Sequence, residues 1–325
     1  MKLFALAGSE GLGAAVARHA GIELDAHEER VFEDGEHKAR PLVSVRGEDV
    51  YILASLAGRN GISANDQLIR LLFFVATCRE NGARRITAVV PYLAYARKDR
   101  QTKPRDPVTT RYVAQLFEAM GTDLVVTLDA HNLSAFQNAF RCRTVHLDTR
   151  HLFATRIAEM AGERDVTVFS PDAGGVKRAE LLRETLEALT GRPIGIGFMQ
   201  KRRSAGEVSG DLFAGDVGGT QVFLVDDMIS TGGTMRRAAA ACRARGASGV
   251  HALAAHGLFS QGAKDMLTDP AIDGTWVTDS LAPFALSPDD PGHRLGIVSI
   301  APLLAGAISR LSRGGSIRRL LEGEG

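Results

Sequence analysis

The stretch Val222-Phe223-Leu224-Val225-Asp226-Asp227-Met228-Ile229-Ser230-Thr231-Gly232-Gly233-Thr234 decides how the chain is to be read. Four apolar residues in a row fit a strand covered on both faces, as in a parallel sheet. The run ends in two carboxylates, passes through a Ser/Thr/Gly loop and continues into a helix-like segment from Met235 to Arg245. In open α/β sheets, ligands bind at the carboxyl ends of such strands. Glycines such as Gly232 and Gly233 let the backbone approach a phosphate, and the N–H groups opening the next helix face it. The hydroxyls of Ser230, Thr231 and Thr234 add donors, while Asp226 and Asp227 can accept hydrogen bonds from vicinal ribose hydroxyls. A buried strand with an ordinary capped turn is the blander explanation, and it leaves the two adjacent acids without a purpose. The pattern is that of a site for a phosphorylated sugar.

The chain of 325 residues is long for one domain and comfortable for two. Its 45% hydrophobic and 24% charged content is ordinary for a globular protein. A formal net charge of +1 gives no electrostatic case for nucleic acid or an anionic membrane as partner. Cys78, Cys142 and Cys242 lie far apart and read as small buried residues of a reducing compartment. The apolar run at Leu3 to Ala7 is too brief for the core of a signal peptide. No stretch approaches the roughly 20 apolar residues of a membrane helix. These features are those of a cytoplasmic protein.

Strand-like runs alternate with helix-like segments throughout. Strands are expected at Leu3 to Ala7, Asp49 to Ala54, Arg85 to Pro91 and Asp123 to Asp129. A mostly buried helix is expected at Ile69 to Cys78. Asp106-Pro107 supplies an N-cap and a first-turn proline for another, ended by Gly121. The alternation recurs with strands at Asp165 to Ser170, Pro193 to Phe198, Gln221 to Val225 and Val250 to His256, and a helix at Lys177 to Leu189. This is the signature of α/β architecture with mainly parallel sheets flanked by helices. A charged segment from Arg141 to Arg150 divides the chain into expected domains 1–148 and 149–325. The helix-like segment Ala301 to Leu311 could pack back on either half.

Several further features sit where strands end. Gly8-Ser9-Glu10-Gly11-Leu12-Gly13 matches neither common glycine-rich nucleotide fingerprint and reads as a strand-to-helix turn. A nucleotide would therefore need a different pocket. Phe32-Glu33-Asp34-Gly35-Glu36 offers an aromatic face and acids around a glycine, suited to stacking on a base and accepting its amino hydrogens; it is equally a β-turn with Asp-Gly. Arg97, Lys98 and Asp99 follow a strand, where cations can grip polyphosphate or simply face solvent. His131 ends another strand and could serve a metal or its bound water, or be structural. Asp172 enters a glycine turn before a helix, as an N-cap or as a carboxylate holding Mg²⁺. Lys201 and Arg203 lie in a basic cluster leaving a strand, a mobile flap or a solvated loop.

The Val225–Thr234 loop resembles the one shared by type I phosphoribosyltransferases and ribose-phosphate pyrophosphokinases. Phe32–Glu36, Ser44–Val50, Pro91–Arg100, Ser170–Ala179, Lys201–Arg203, His256–Ser260 and Ser316-Ile317 follow in the order found in the latter family. A phosphoribosyltransferase would share the sugar-phosphate loop but not the nucleotide half. The resemblance implies two phosphoribosyltransferase-type domains and transfer of pyrophosphate from MgATP to ribose 5-phosphate, giving PRPP and AMP. It implies that Phe32, Asp34, Gly35, Glu36, Arg97, Lys98 and Asp99 bind ATP, and that His131 and Asp172 serve Mg²⁺. Lys201 and Arg203 would be catalytic. Arg203, Asp226, Asp227, Ser230, Thr231, Gly232, Gly233 and Thr234 would hold ribose 5-phosphate. It also implies a homo-oligomer built of dimers, commonly a hexamer.

The chain departs from the family pattern in places. Asn132–Phe140 replaces an Ala-x-Gln-Ile-Gln-Gly-Phe-Phe stretch, Lys98 stands where Gln is commoner, and Ser230 replaces a common Asp. These mark a divergent member. A PRPP-consuming transferase, a non-catalytic regulatory homologue and a simple sugar-phosphate kinase are the competing expectations.

Overall fold

Apolar runs punctuated by glycine turns set up strand–helix alternation from the first residues. The computed structural model describes residues 1–58, 61–204, 207–282 and 294–323, the side chains of 201–204 and 207–211 excepted. The chain divides into two units, one of Met1–Asp148 with Ser280–Pro283 and Ser299–Gly325, the other of Thr149–Asp279 with Phe284–Val298.

The first unit runs β1 (Lys2–Ala5), α1 (Glu10–Ala20), β2 (His27–Val31), β3 (His37–Pro41), β4 (Asp49–Leu53), α2 (Ala64–Glu80), β5 (Arg85–Val90), α3 (Thr109–Ala119), β6 (Leu124–Leu128), α4 (Leu133–Ala139) and β7 (Arg143–Leu147). Strands β1, β4, β5, β6 and β7 form one parallel sheet in the order β1-β4-β5-β6-β7. Every residue of β4 and β6 is buried, which explains why their sequences do not alternate. Strands β2 and β3 form a separate antiparallel hairpin.

A side-chain cap fixes the start of α2 but not of α3. Ser63 accepts from the Asp66 N–H at 3.1 Å while the Asp66 carboxylate accepts from the Ser63 N–H at 2.8 Å, so α2 opens with a reciprocal capping box. Helix α3 begins at Thr109 rather than at Pro107. Asp106 is engaged elsewhere: its carboxylate accepts from the Thr102 hydroxyl at 2.7 Å and the Lys103 N–H at 3.0 Å, closing a turn of its own.

The second unit runs α5 (Arg150–Ala161), β8 (Val166–Ser170), α6 (Val176–Thr190), β9 (Gly195–Ser204), β10 (Glu207–Ala214), β11 (Gln221–Ile229), α7 (Gly233–Arg243), β12 (Gly249–Gly257), α8 (Ala263–Leu267), β13 (Gly274–Thr278) and β14 (Leu295–Val298). The sheet order is β10-β9-β8-β11-β12-β13-β14, parallel except for β10 against β9. Val222 and Leu224 join a core with Met235, Ala238 and Met266, while Phe223 and Val225 join another with Phe153, Ile157 and Leu182. The opening run of β11 is apolar throughout because each of its faces is a core. The chain then returns to the first unit as α9 (Ala301–Ser312), which packs on α1, and α10 (Arg318–Leu321).

Candidate active site

Parallel strands of unequal length create the opening in the second unit. Strand β8 pairs with β11 only as far as Phe169↔Leu224, whereas β12 accompanies β11 to Ile229↔Gly257. Asp226 and Asp227 therefore occupy the part of β11 that has lost its neighbour on one side. The strand is longer than its apolar run indicates, because Met228 and Ile229 still pair with β12.

Arg178, in the first turn of α6, stands over this gap. Its guanidinium lies 3.6 Å from an Asp226 oxygen and 3.8 Å from an Asp227 oxygen. The Asp227 N–H donates to the Asp226 carboxylate at 2.8 Å. Burial and then the neighbouring Asp227 carboxyl push the Asp226 pKa well above the ordinary carboxylate range, and Arg178 opposes them. Arg178 has no assigned role in the sequence reading. Its place in the first turn after Gly174-Gly175 sets it beside β11, a strand distant in sequence, so only the sheet order brings it to the acids.

The loop after β11 turns sharply. Gly232 has φ 76°, and a side chain there would press on Met266, with a Cβ 2.5 Å from the Met266 Cβ. Helix α7 starts at Gly233, and among the described residues no side chain caps it. Its first-turn N–H groups thus remain available to an anion, flanked by the hydroxyls of Ser230, Thr231 and Thr234. The Ser230 hydroxyl lies 2.8 Å from that of Ser260.

Asp172 is exposed in the turn between β8 and α6. One carboxylate oxygen accepts from the N–H groups of Gly174 at 2.8 Å and Gly175 at 3.1 Å, so the turn itself fixes the side chain. Lys201 and Arg203 fall in β9, which continues past Phe198 and pairs with β10 instead of entering a loop. The side chains of Lys201 and Arg203 lie outside the described residues.

In the first unit, the segments following β5 and β6 meet. The Asn132 amide donates to the Asp99 carboxylate at 2.7 Å, and the Asn132 carbonyl oxygen accepts the Ala135 N–H to cap α4. This joins the segment carrying Arg97 and Lys98, both exposed, to the one carrying His131. Two residues there hold unusual backbone: Tyr95 at φ 64° and Asp129 at φ 40°. Phe32, Asp34, Gly35 and Glu36 form the tip of the β2–β3 hairpin. The Asp34 carboxylate accepts from the Glu36 N–H at 3.0 Å, and Gly35 at φ 90° makes the turn. The Asp-Gly turn is therefore present, and Phe32 carries Arg30 over its ring at 4.9 Å.

Two parallel α/β units, one opening onto paired acids and a glycine-started helix, define a transferase of the phosphoribosyltransferase fold type. Comparison with known proteins narrows this class. Residues 1–121 match the family described as the N-terminal domain of ribose phosphate pyrophosphokinase, and residues 208–322 match the phosphoribosyl synthetase-associated domain. Ribose-phosphate pyrophosphokinases of Hyphomonas neptunium and Rhizobium meliloti are each 35% identical, over 99% of this chain and 100% of theirs. The crystal structure of phosphoribosylpyrophosphate synthetase from Mycobacterium smegmatis superposes with a TM-score of 0.85 at 33% identity, covering 97% of this chain and 99% of that one. The chain belongs to the ribose-phosphate pyrophosphokinase family and is an enzyme of the α/β class with two phosphoribosyltransferase-type domains.

Proposed function

We propose that the enzyme transfers the pyrophosphoryl group of MgATP to the anomeric hydroxyl of ribose 5-phosphate, giving PRPP and AMP. The observation that carries this reading is the Asp226–Asp227 pair beneath Arg178, on a strand that runs directly into an uncapped helix start. Paired carboxylates suit two adjacent ribose hydroxyls, and the N–H groups and hydroxyls from Ser230 to Thr234 suit the 5-phosphate. The end-to-end similarity to proteins named ribose-phosphate pyrophosphokinase supports it.

In this reading residues 1–148 supply the nucleotide side and 149–325 the sugar side. Phe32 stacks on the adenine, Asp34, Gly35 and Glu36 accept or frame its amino group, and Arg97, Lys98 and Asp99 address the polyphosphate. The anomeric oxygen attacks the β-phosphorus and gives up its proton to water, the bond from the β-phosphorus to the α,β-bridging oxygen breaks, and AMP leaves. Lys201 and Arg203 neutralise charge on the transferring group, since such transfers need positioning and electrostatics more than covalent help.

His131 and Asp172 fit a supporting role for Mg²⁺. Among the described residues no cluster of three or more metal-ligating side chains exists. A nucleotide-bound Mg²⁺ needs no such cage: it keeps several waters and takes one or two protein groups besides phosphates. Asp172 is exposed and hard-oxygen in character, which suits that donor set. When bound, Mg²⁺ supplies charge neutralisation on the phosphates.

We further propose a homo-oligomer built of dimers, to be checked by sedimentation. No helix among the described residues is long and apolar enough to cross a membrane. The activity is tested by incubating purified protein with Mg²⁺, ATP and ribose 5-phosphate and resolving the nucleotides. AMP formed in step with PRPP is the expected result. ADP would mean simple phosphoryl transfer, and absence of turnover would favour a PRPP-consuming or regulatory homologue.

A further inference from the structure

A second turn, between β12 and α8, is stitched to the loop that follows β11. The N–H groups of Leu258 and Phe259 both donate to the Ile229 carbonyl, at 3.0 and 3.1 Å. The Ser260 N–H donates to the Ser230 carbonyl at 3.0 Å, and the two serine hydroxyls pair at 2.8 Å. Ser230 is thus held through both its backbone and its side chain by a single residue.

The turn that presents Ser260 is anchored. Phe259 is buried and adopts φ 44°, a conformation that a bulky side chain keeps only where its surroundings impose it. Its ring fills the space above Gly257, where an added Cβ would sit 2.6 Å from it. Further along the same segment, α8 brings the buried Met266 against Gly232. One segment therefore fixes Ile229 and Ser230 through four hydrogen bonds and crowds Gly232.

We propose that Ser260 is a positioning residue, which orients the Ser230 hydroxyl toward the sugar phosphate. This rests on the assignment of Ser230–Thr234 as the ribose 5-phosphate loop. A serine hydroxyl has one proton and rotates freely. Alone in the loop, Ser230 could point its proton at solvent or at its own backbone. Paired with Ser260 at 2.8 Å, it has one fixed acceptor or donor, which restricts the hydroxyl rotor and leaves its remaining hydrogen-bonding capacity for a ligand. Ser260 acts only through Ser230, so the two hydroxyls form one functional unit.

The test is calorimetric titration of ribose 5-phosphate into the full-length wild type and the Ser230→Ala, Ser260→Ala, Ser260→Thr and double Ser230→Ala/Ser260→Ala variants. Melting temperatures are recorded in parallel, with ATP titrated separately. The expected result is a roughly three- to ten-fold weaker sugar-phosphate affinity for Ser260→Ala, the loss of one hydroxyl hydrogen bond, with ATP affinity unchanged. Ser260→Thr restores binding, and the double variant is no weaker than Ser230→Ala, because coupled residues are non-additive. Additive losses, an equal loss for ATP, or failure of Thr to rescue would overturn the role of Ser260 and leave the loop assignment intact. A wild type that does not bind ribose 5-phosphate would overturn the assignment itself, and the Ser260 role with it.

Discussion

Asp226 is held in two conflicting ways. Burial and the adjacent Asp227 carboxyl favour its protonated form, while the proposed role, accepting sugar hydroxyls through both oxygens, requires the ionised one. Ribose 5-phosphate binding therefore strengthens as pH rises from about 7 to about 9, above the range where the phosphate itself titrates. Titration calorimetry across that range should show the trend in the wild type and a flat profile for Asp226→Asn. The sign for stability follows from the same displacement. The folded pKa lies above the unfolded value, so this group's contribution is complete below the unfolded value and is lost as pH rises through the folded one. Asp226→Asn should accordingly raise the melting temperature most at alkaline pH while leaving sugar-phosphate binding weaker than the wild type's at about pH 9 and insensitive to pH. A variant that melts lower there would mean that the Arg178 pairing outweighs burial. Lys201 makes a different demand. If it acts on the transferring group, Lys201→Ala lowers turnover by about 10²–10³ while the ribose 5-phosphate dissociation constant stays within about two-fold. Equal losses in both quantities would remove its catalytic role.

The β11–α7 junction concentrates the demands of element geometry. Gly232 combines a positive φ with contact against Met266, so Gly232→Ala should destabilise by about 1–3 kcal/mol and abolish sugar-phosphate binding. Denaturant unfolding measures the first effect. Shortening Met266 to Ala in the same chain should recover little, because the backbone strain remains. Much of this unit was legible in sequence. Val222–Val225 announces a strand covered on both faces, and Gly232-Gly233 announces the turn. The extension of β11 to Ile229 was not legible, because Asp226 and Asp227 look like a strand end; only pairing with β12 carries the strand on. The β9–β10 hairpin was hidden for a similar reason. Lys201–Arg203 has loop-like charge, and an edge hairpin tolerates charge that a central strand would not. Asp106 and Pro107 read as a helix start, but a carboxylate can close a nearby turn as readily as cap a helix. The Ser63-to-Asp66 capping box did carry a helix signal in its spacing, and Ser63→Ala should cost about 1 kcal/mol in the same unfolding assay. Among the candidate site residues, chain order alone singles out Asp226 and the glycine loop. Arg178, Asn132 and Ser260 gain meaning only through partners distant in sequence.

At the scale of the whole chain, the first unit is made from both ends of the sequence. Helix α9 lies on α1, with Leu303, Leu304, Ala305, Ala307 and Ile308 buried. Leu304→Ala should therefore destabilise by about 2–5 kcal/mol, as core truncations do, and calorimetry should show the loss. A neutral result would mean that α9 is an accessory to the first unit and not part of its core. The same arrangement has a consequence during synthesis. About 150 residues separate Asp148 from Ala301, and a ribosome adding about 5–20 residues per second needs roughly 8–30 s to traverse them. The portion that emerges first is thus completed last. Until α9 arrives, the surface of α1 that it covers is open to chaperones, to proteases and to neighbouring nascent chains.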